Sequence, residues 1–236
     1  MTGGVYAASG GTESSFFVEF EPGAGQCTFT HVSVPGARDN QCEISVCPAY
    51  TAHPMSAGLI TLTAPGTQAM SLQPMADGTY PVEAGSKLWQ GGEDFSLVVA
   101  GNPPSIAGAT SVLKAPIDAA NMGTLPSMVD RTAAMTFTWT YDHAKPVVDI
   151  YFNVQLATMS PTGGVTPAGI SCEFPLVAGS ATIPAGALAK VPAGADQLSM
   201  QTQTQQTVTT TTPVSQMTVF SLISSVANGT AAVTVR

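Results

Sequence analysis

Charge is what this chain has least of: seven Lys or Arg and 15 Asp or Glu in 236 residues, where about a quarter of an ordinary soluble domain is charged. Its surface must therefore be solvated mainly by the hydroxyls and amides of Ser, Thr and Gln. Such a surface repels its neighbours weakly. It suits a module outside the cytosol that packs, faces sugars or associates with itself. With a net charge of −8, the few cations cannot build a stripe along a phosphate backbone. Nucleic acid and anionic membrane surfaces are therefore not expected partners.

Long apolar runs are missing too. The longest near the C-terminus, residues 217–227, is broken by Ser and Thr and is too short to cross a bilayer as a helix, so no transmembrane segment is expected. Met1-Thr2-Gly3-Gly4 has neither the basic nor the apolar region of an export signal. The expectation is that a signal has been removed upstream and that Met1 is an added start residue. Catalytic motifs are equally scarce. There are three histidines, His31, His53 and His143, and no Gly-x-Ser-x-Gly elbow, His-Glu-x-x-His pair or phosphate-cradling loop.

What the chain has instead is punctuation. Its 23 Gly and 18 Pro stand singly between short apolar runs, without a collagen-like period, and Pro at that density excludes long helices. The fold class is all-β. The length allows one large domain or two of about 100 to 130 residues each.

The clearest strand is Met135-Thr136-Phe137-Thr138-Trp139-Thr140-Tyr141, which alternates large apolar residues with Thr. After the turn Asp142-His143-Ala144-Lys145-Pro146 the period resumes, with Val148, Ile150, Phe152, Val154 and Leu156 on one face and Asp149, Tyr151, Asn153 and Gln155 on the other. This spacing predicts a hairpin with Trp139 opposite Ile150 and Phe137 opposite Phe152. Ile170, Cys172 and Phe174 mark a further strand that buries Cys172 and ends at Pro175. With residues 179–183, 198–210, 217–226 and 231–235, about six or seven strands follow residue 105, the count of an immunoglobulin-like sandwich.

Residues 15–20, 26–34, 41–47, 59–63, 69–73 and 95–100 read the same way. They are separated by Pro22-Gly23, Pro35-Gly36, Pro65-Gly66, Asp77-Gly78 and Gly91-Gly92. Gly101-Asn102-Pro103-Pro104 is the best boundary. The expected architecture is two tandem antiparallel β-sandwiches, residues 1–104 and an immunoglobulin-like 105–236, with one large sandwich as the alternative.

Cys27, Cys42, Cys47 and Cys172 suit a disulfide framework in an oxidising compartment. Folding residues 26–34 against 41–47 brings Cys27 level with Cys47, the first bond expected, closing a loop of about 20 residues for on the order of 3 kcal/mol. Cys42 shares a face with Ile44 and Val46 and points inward. It either meets Cys172 or stays a buried thiol, and other connectivities, including Cys27 with Cys42, stay open.

The whole chain resembles an uncharacterised family of secreted, often lipoprotein-associated β proteins of myxobacterial type. The matching phrases in the first half are Gly25-Gln26-Cys27-Thr28, Gln41-Cys42-Glu43-Ile44-Ser45-Val46-Cys47, Ala57-Gly58-Leu59-Ile60-Thr61, Ala76-Asp77-Gly78-Thr79-Tyr80 and Gly91-Gly92-Glu93. In the second half they are Phe137-Thr138-Trp139, Ser171-Cys172-Glu173-Phe174, Ile183-Pro184-Ala185 and Val191-Pro192-Ala193-Gly194. The resemblance implies export and β architecture, and brings no activity or catalytic residues. The chain lacks the N-terminal lipobox cysteine that would settle attachment to lipid.

Candidate sites compete with plainer readings. Asp142-His143 beside Lys145 reads as an exposed turn, since nothing supplies a nucleophile or pocket. Glu43, Glu83, Glu93 and Asp94 offer carboxylates for a polymer-hydrolysing alternative, Glu93 and Asp94 foremost, without a spacing that selects a pair. Cys42, Cys47, His53 and Met55, followed by Met70 and Met75, are soft ligands suited to Cu(I) or Zn, as a periplasmic metal-binding protein would have. Cys-x4-Cys is not a zinc-knuckle spacing, however, and oxidised cysteines do not ligate. Glu93-Asp94 and Asp118 form no calcium loop. No metal and no cofactor are therefore expected. Asn228-Gly229-Thr230 reads as a turn.

The Thr/Gln run at residues 201–212 would set Thr202, Thr204, Thr207 and Thr209 along a solvated edge strand, the candidate surface for self-association or an extracellular glycan. The expected protein is secreted, periplasmic or on the outer cell surface, structural or adhesive, and without catalytic activity.

Overall fold

The structure, a computed structural model, describes residues 2–10, 13–21, 28–46, 56–66, 69–80, 84–86, 89–102, 107–122, 125–145, 147, 149–159, 165–211, 216–225 and 230–236. Strands dominate. They are β1 (Thr2–Gly10), β2 (Glu13–Glu21), β3 (Thr28–Ser33), β4 (Gln41–Val46), β5 (Ile60–Thr63), β6 (Met70–Leu72), β7 (Ala84–Ser86), β8 (Asp94–Val99) and β9 (Ala109–Lys114). Then follow β10 (Met128–Val129), β11 (Met135–Thr138), β12 (Tyr151–Met159), β13 (Val165–Pro175), β14 (Ser180–Ile183), β15 (Gly194–Thr211), β16 (Gln216–Ser225) and β17 (Thr230–Val235). Helix is limited among these residues to the single turn Ala185–Leu188 and two 3-10 turns. The protein is all-β, built largely of antiparallel sheets.

The chain clusters into two compact units. One comprises Met1–Ala24, Thr51–Ile117 and Gln203–Ser225; the other comprises Gly25–Tyr50, Asp118–Thr202 and Val226–Arg236. The sequence predicts a single boundary at residue 104, whereas these units interleave along the chain. Closing a long loop costs only slightly more entropy than closing a short one, so distant strands can complete one sheet.

In the first unit β6, β5, β8 and β9 form an antiparallel sheet in that order. Alternation sends Ile60, Leu62, Leu72, Phe95, Leu97, Val99 and Leu113 into the core, where Trp89 meets Phe95 edge to face. Val98 and Val112 point to solvent. In the second sheet of this unit β1 pairs antiparallel with β2 and parallel with β16, and β7 adds to β2. A buried tyrosine ties the loops. The Tyr80 hydroxyl accepts from Ala57 N at 2.8 Å and donates to Gly58 O at 2.7 Å. Gly58 has φ +75°, and a Cβ there would lie 2.3 Å from Gly101 O, so the crossing admits only glycine.

The second unit is organised around the antiparallel order β3, β4, β13, β12. Cys42, Ile44, Phe152, Val154, Leu156, Ile170, Cys172 and Phe174 are all buried on its inner face. β17 pairs antiparallel with β15 and parallel with β10.

Two strand expectations change here. β11 pairs with β14 and not with β12, and β12 pairs with β13. Trp139, expected opposite Ile150, instead packs on Phe152: the rings stack 4.0 Å apart at 13°, and Trp139 Nε1 donates to Leu176 O at 2.8 Å. Alternation fixes which face a strand buries and is silent about its neighbour. Val46, expected inward beside Cys42 and Ile44, is 53% exposed at the end of β4.

The Cys42–Cys172 disulfide joins β4 to β13 across 130 residues of sequence, with Cα atoms 4.5 Å apart. Of the fates left open for Cys42, pairing with Cys172 is the one observed. Cys27 and Cys47, the pair expected first, lie outside the described residues. Replacing Cys42 and Cys172 together by Ala should lower stability by about 2–5 kcal/mol, read as a shifted urea midpoint. An unchanged midpoint would show that strand pairing alone carries this seam.

Candidate functional site

The outer face of the β3, β4, β13, β12 sheet gathers polar groups from four strands of the second unit. Because side chains alternate, the register that buries Cys42 and Ile44 turns their odd-numbered neighbours outward. His31 stands opposite Glu43, Glu43 opposite Ser171, and Ser171 opposite Gln155. One step along, Glu173 stands opposite Asn153. Two residues the other way, Phe29 pairs with Ser45, Ser45 with Gly169, and Gly169 with Ala157, so small residues continue the row that Phe29 begins. His31, Glu43, Gln155 and Phe29 are exposed.

One corner is locked from outside the sheet. Arg38 lies on the 3-10 turn Arg38–Asn40, where Asp39 and Asn40 both take φ +54°. Its Nη1 donates to Glu173 Oε2 at 3.0 Å, and its guanidinium lies 4.8 Å from the Tyr151 ring centroid. Asn153 is buried, and its Nδ2 donates to Ser171 Oγ at 2.9 Å. Partial burial pushes the Glu43 carboxyl above its ordinary pKa; His31 opposes that shift and Glu173 adds to it. The face therefore offers amides, hydroxyls, carboxylates, imidazole and an already neutralised guanidinium on a rigid sheet. It can hydrogen-bond a polar ligand along its length.

The carboxylates expected to compete with Glu43 do other work in the first unit. Glu93 accepts from Gln90 N in its loop, and Asp94 pairs with Lys114 Nζ at 2.6 Å. Asp118 is exposed in the second unit, and Glu83 lies outside the described residues. Asp142 Oδ1 accepts from Ala144 N, and the His143 ring lies 4.2 Å from that of Tyr141, which makes Asp142-His143 a turn. Of the soft-ligand set, Cys42 is committed to its disulfide. Met70 packs against the first-unit core and Met75 is exposed there. Cys47, His53 and Met55 lie outside the described residues, as do Asn228 and Gly229.

The Thr/Gln run takes an unexpected place. Thr202 and Thr204 are buried, at 0% and 2% exposure, where the sequence expects a solvent-facing edge. The side chains of Thr207 and Thr209 lie outside the described residues. Within the first unit, Thr204 Oγ1 donates to Lys114 O at 2.6 Å and Gln206 Oε1 accepts from Val112 N at 3.1 Å. Two hydroxyl and amide side chains thus occupy backbone groups of β9, the outermost strand of its sheet. A strand with such groups bare is a template for unwanted pairing, and these side chains blunt it.

Sequence inspection also passed over Asp196. It shares the parity of Leu198 and Met200 on β15, which sends it inward. It is 2% exposed, and neither carboxylate oxygen has a hydrogen-bond partner among the described residues. Desolvation raises its pKa.

Among the described residues no helix is long and apolar enough to cross a membrane. No protein-family model matches the chain. No curated protein matches it either. Among solved structures it is similar to the two fibronectin type III domain segment from chicken tenascin, at 11% identity over 92% of this chain and 95% of that one. The TM-score of 0.22 is too low for that likeness to carry any argument.

Replacing Thr204 by Val or Gln206 by Ala should each cost about 1 kcal/mol, measured by urea unfolding; no loss would mean that β9 does not depend on these side chains. Asp196 behaves differently. With its folded pKa raised, it favours folding fully only below its ordinary value of 3.8, and that contribution is lost as pH rises through the folded pKa. Asp196→Asn should therefore melt higher than the parent at pH 7, with the gap closing as pH falls toward 3.8. A gap independent of pH would show that Asp196 is solvated.

Proposed function

We propose that this chain is an extracytoplasmic β module of structural or adhesive role, without catalytic activity, which attaches through the polar outer face of the β3, β4, β13, β12 sheet. The Cys42–Cys172 bond carries the reading, because a disulfide buried between two core strands is built for an oxidising compartment. The resemblance to secreted myxobacterial β proteins supports export, as a secreted, periplasmic or outer-surface protein. The sparse charge supports association with a neutral surface or with further copies of the chain.

Fractionation of the source cells with thiol labelling tests the compartment. The protein should be found outside the cytosol, with Cys42 and Cys172 unreactive to alkylation until reductant is added. Recovery in the cytosol with both thiols free would overturn the reading. Light scattering across protein concentration separates two ways of being adhesive: growth in mass marks self-association, and a constant monomer marks attachment to another polymer.

A further inference from the structure

We propose that the outer face of the β3, β4, β13, β12 sheet is a binding site for a neutral polysaccharide, with Phe29 as its stacking platform. The inference rests on the adhesive reading above and names the ligand class of the same surface. A protein partner calls for a depleted-charge, apolar centre. Here the centre is instead a row of His31, Glu43, Ser171 and Gln155, all of them hydrogen-bonding groups. A polysaccharide presents the complementary surface: hydroxyls in several directions and, on each ring, an apolar C–H face. Carboxylates and amides accept and donate to hydroxyls. An exposed phenyl ring takes the C–H face.

Phe29 meets that need. It is 55% exposed on β3, the end strand of the sheet. Ser45, Gly169 and Ala157 extend its row with small residues, of which Gly169 is buried. Across β3, β4, β13 and β12 the two rows run over three strand spacings, about 14 Å, the span of an extended chain and not of a single sugar.

Charge selects among sugars. Arg38 is the cation that would hold a sulfate or uronate, and it is already bound to Glu173. Glu43, which faces His31 across β3 and β4, adds a carboxylate that repels polyanions. The pairs Asn153–Ser171 and Arg38–Glu173 hold their side chains before any ligand arrives, which reduces the ordering cost of binding.

Affinity electrophoresis of the full chain, run through native gels containing a neutral β-glucan, starch or hydroxyethylcellulose and, separately, alginate or chitosan, tests the site. At least one neutral polymer should retard the protein, and alginate should not. Phe29→Ala should weaken that retardation roughly tenfold, the effect of about 1.4 kcal/mol, and Gln155→Ala should weaken it further. Both residues are exposed, so unchanged melting of the variants excludes loss of folding. Val112→Thr, on the outer face of the first unit, should bind like the parent. Retardation by no neutral polymer, by chitosan alone, or to the same extent in the Phe29 and Gln155 variants overturns the proposal. Those results leave the adhesive reading standing if the protein is found outside the cytosol with its disulfide formed. Free Cys42 and Cys172 thiols in the cytosol overturn that reading without touching the gel result.

Discussion

The pairing of β4 with β13 is the joint on which the second unit depends. Residues 130 apart in sequence are brought to a Cα separation of 4.5 Å and covalently closed there. The hydrophobic gain comes from the same register. With Ile44 opposite Ile170, the even-numbered residues of β4 and β13 through Cys172 and Phe174 fall on the core side, beside Phe152 and Val154 from β12. A slip by one residue would turn all of them to water and draw Glu43, Ser171 and Glu173 inside. Register, core and disulfide therefore specify one another.

The polar face is the other product of that constraint. Its residues are outward because their neighbours are inward, and their mutual positions follow from strand spacing. The fixed sheet gives the Arg38 turn a place to dock, and the guanidinium bridges a carboxylate and an aromatic ring at the sheet's end. A site on a sheet face is held more rigidly than one on loops, since each side chain is placed by hydrogen-bonded backbone on both sides. A chain with so little charge places Arg38, Glu43 and Glu173 together on one sheet.

Scarcity of charge also changes how the edges are managed. Proteins commonly guard edge strands with Lys or with inward-pointing charges. Here Thr204 and Gln206 serve β9 by bonding its backbone directly. This gives the Thr/Gln run an internal purpose that its polarity alone conceals. Asp196 is the opposite case, a carboxylate taken out of water on the buried face of β15 with no hydrogen-bond partner among the described residues.

The sequence by itself determined the all-β class, most strands and, in β12 and β13, which face is buried. Period-two alternation is a local property, and residues 150–156 and 170–174 carry it without interruption. It foretold a buried Cys172. It did not show that β11 joins β14, that strands before residue 104 share a sheet with β12 and β13, or that Thr202 and Thr204 lie inside. It also left the polar face scattered over four separate stretches, with His31, Glu43, Asn153 and Glu173 unremarked as a group. Only tertiary structure decided these, because a strand's alternation specifies its inside and outside and leaves its partner open. That choice is made by the burial of many faces at once.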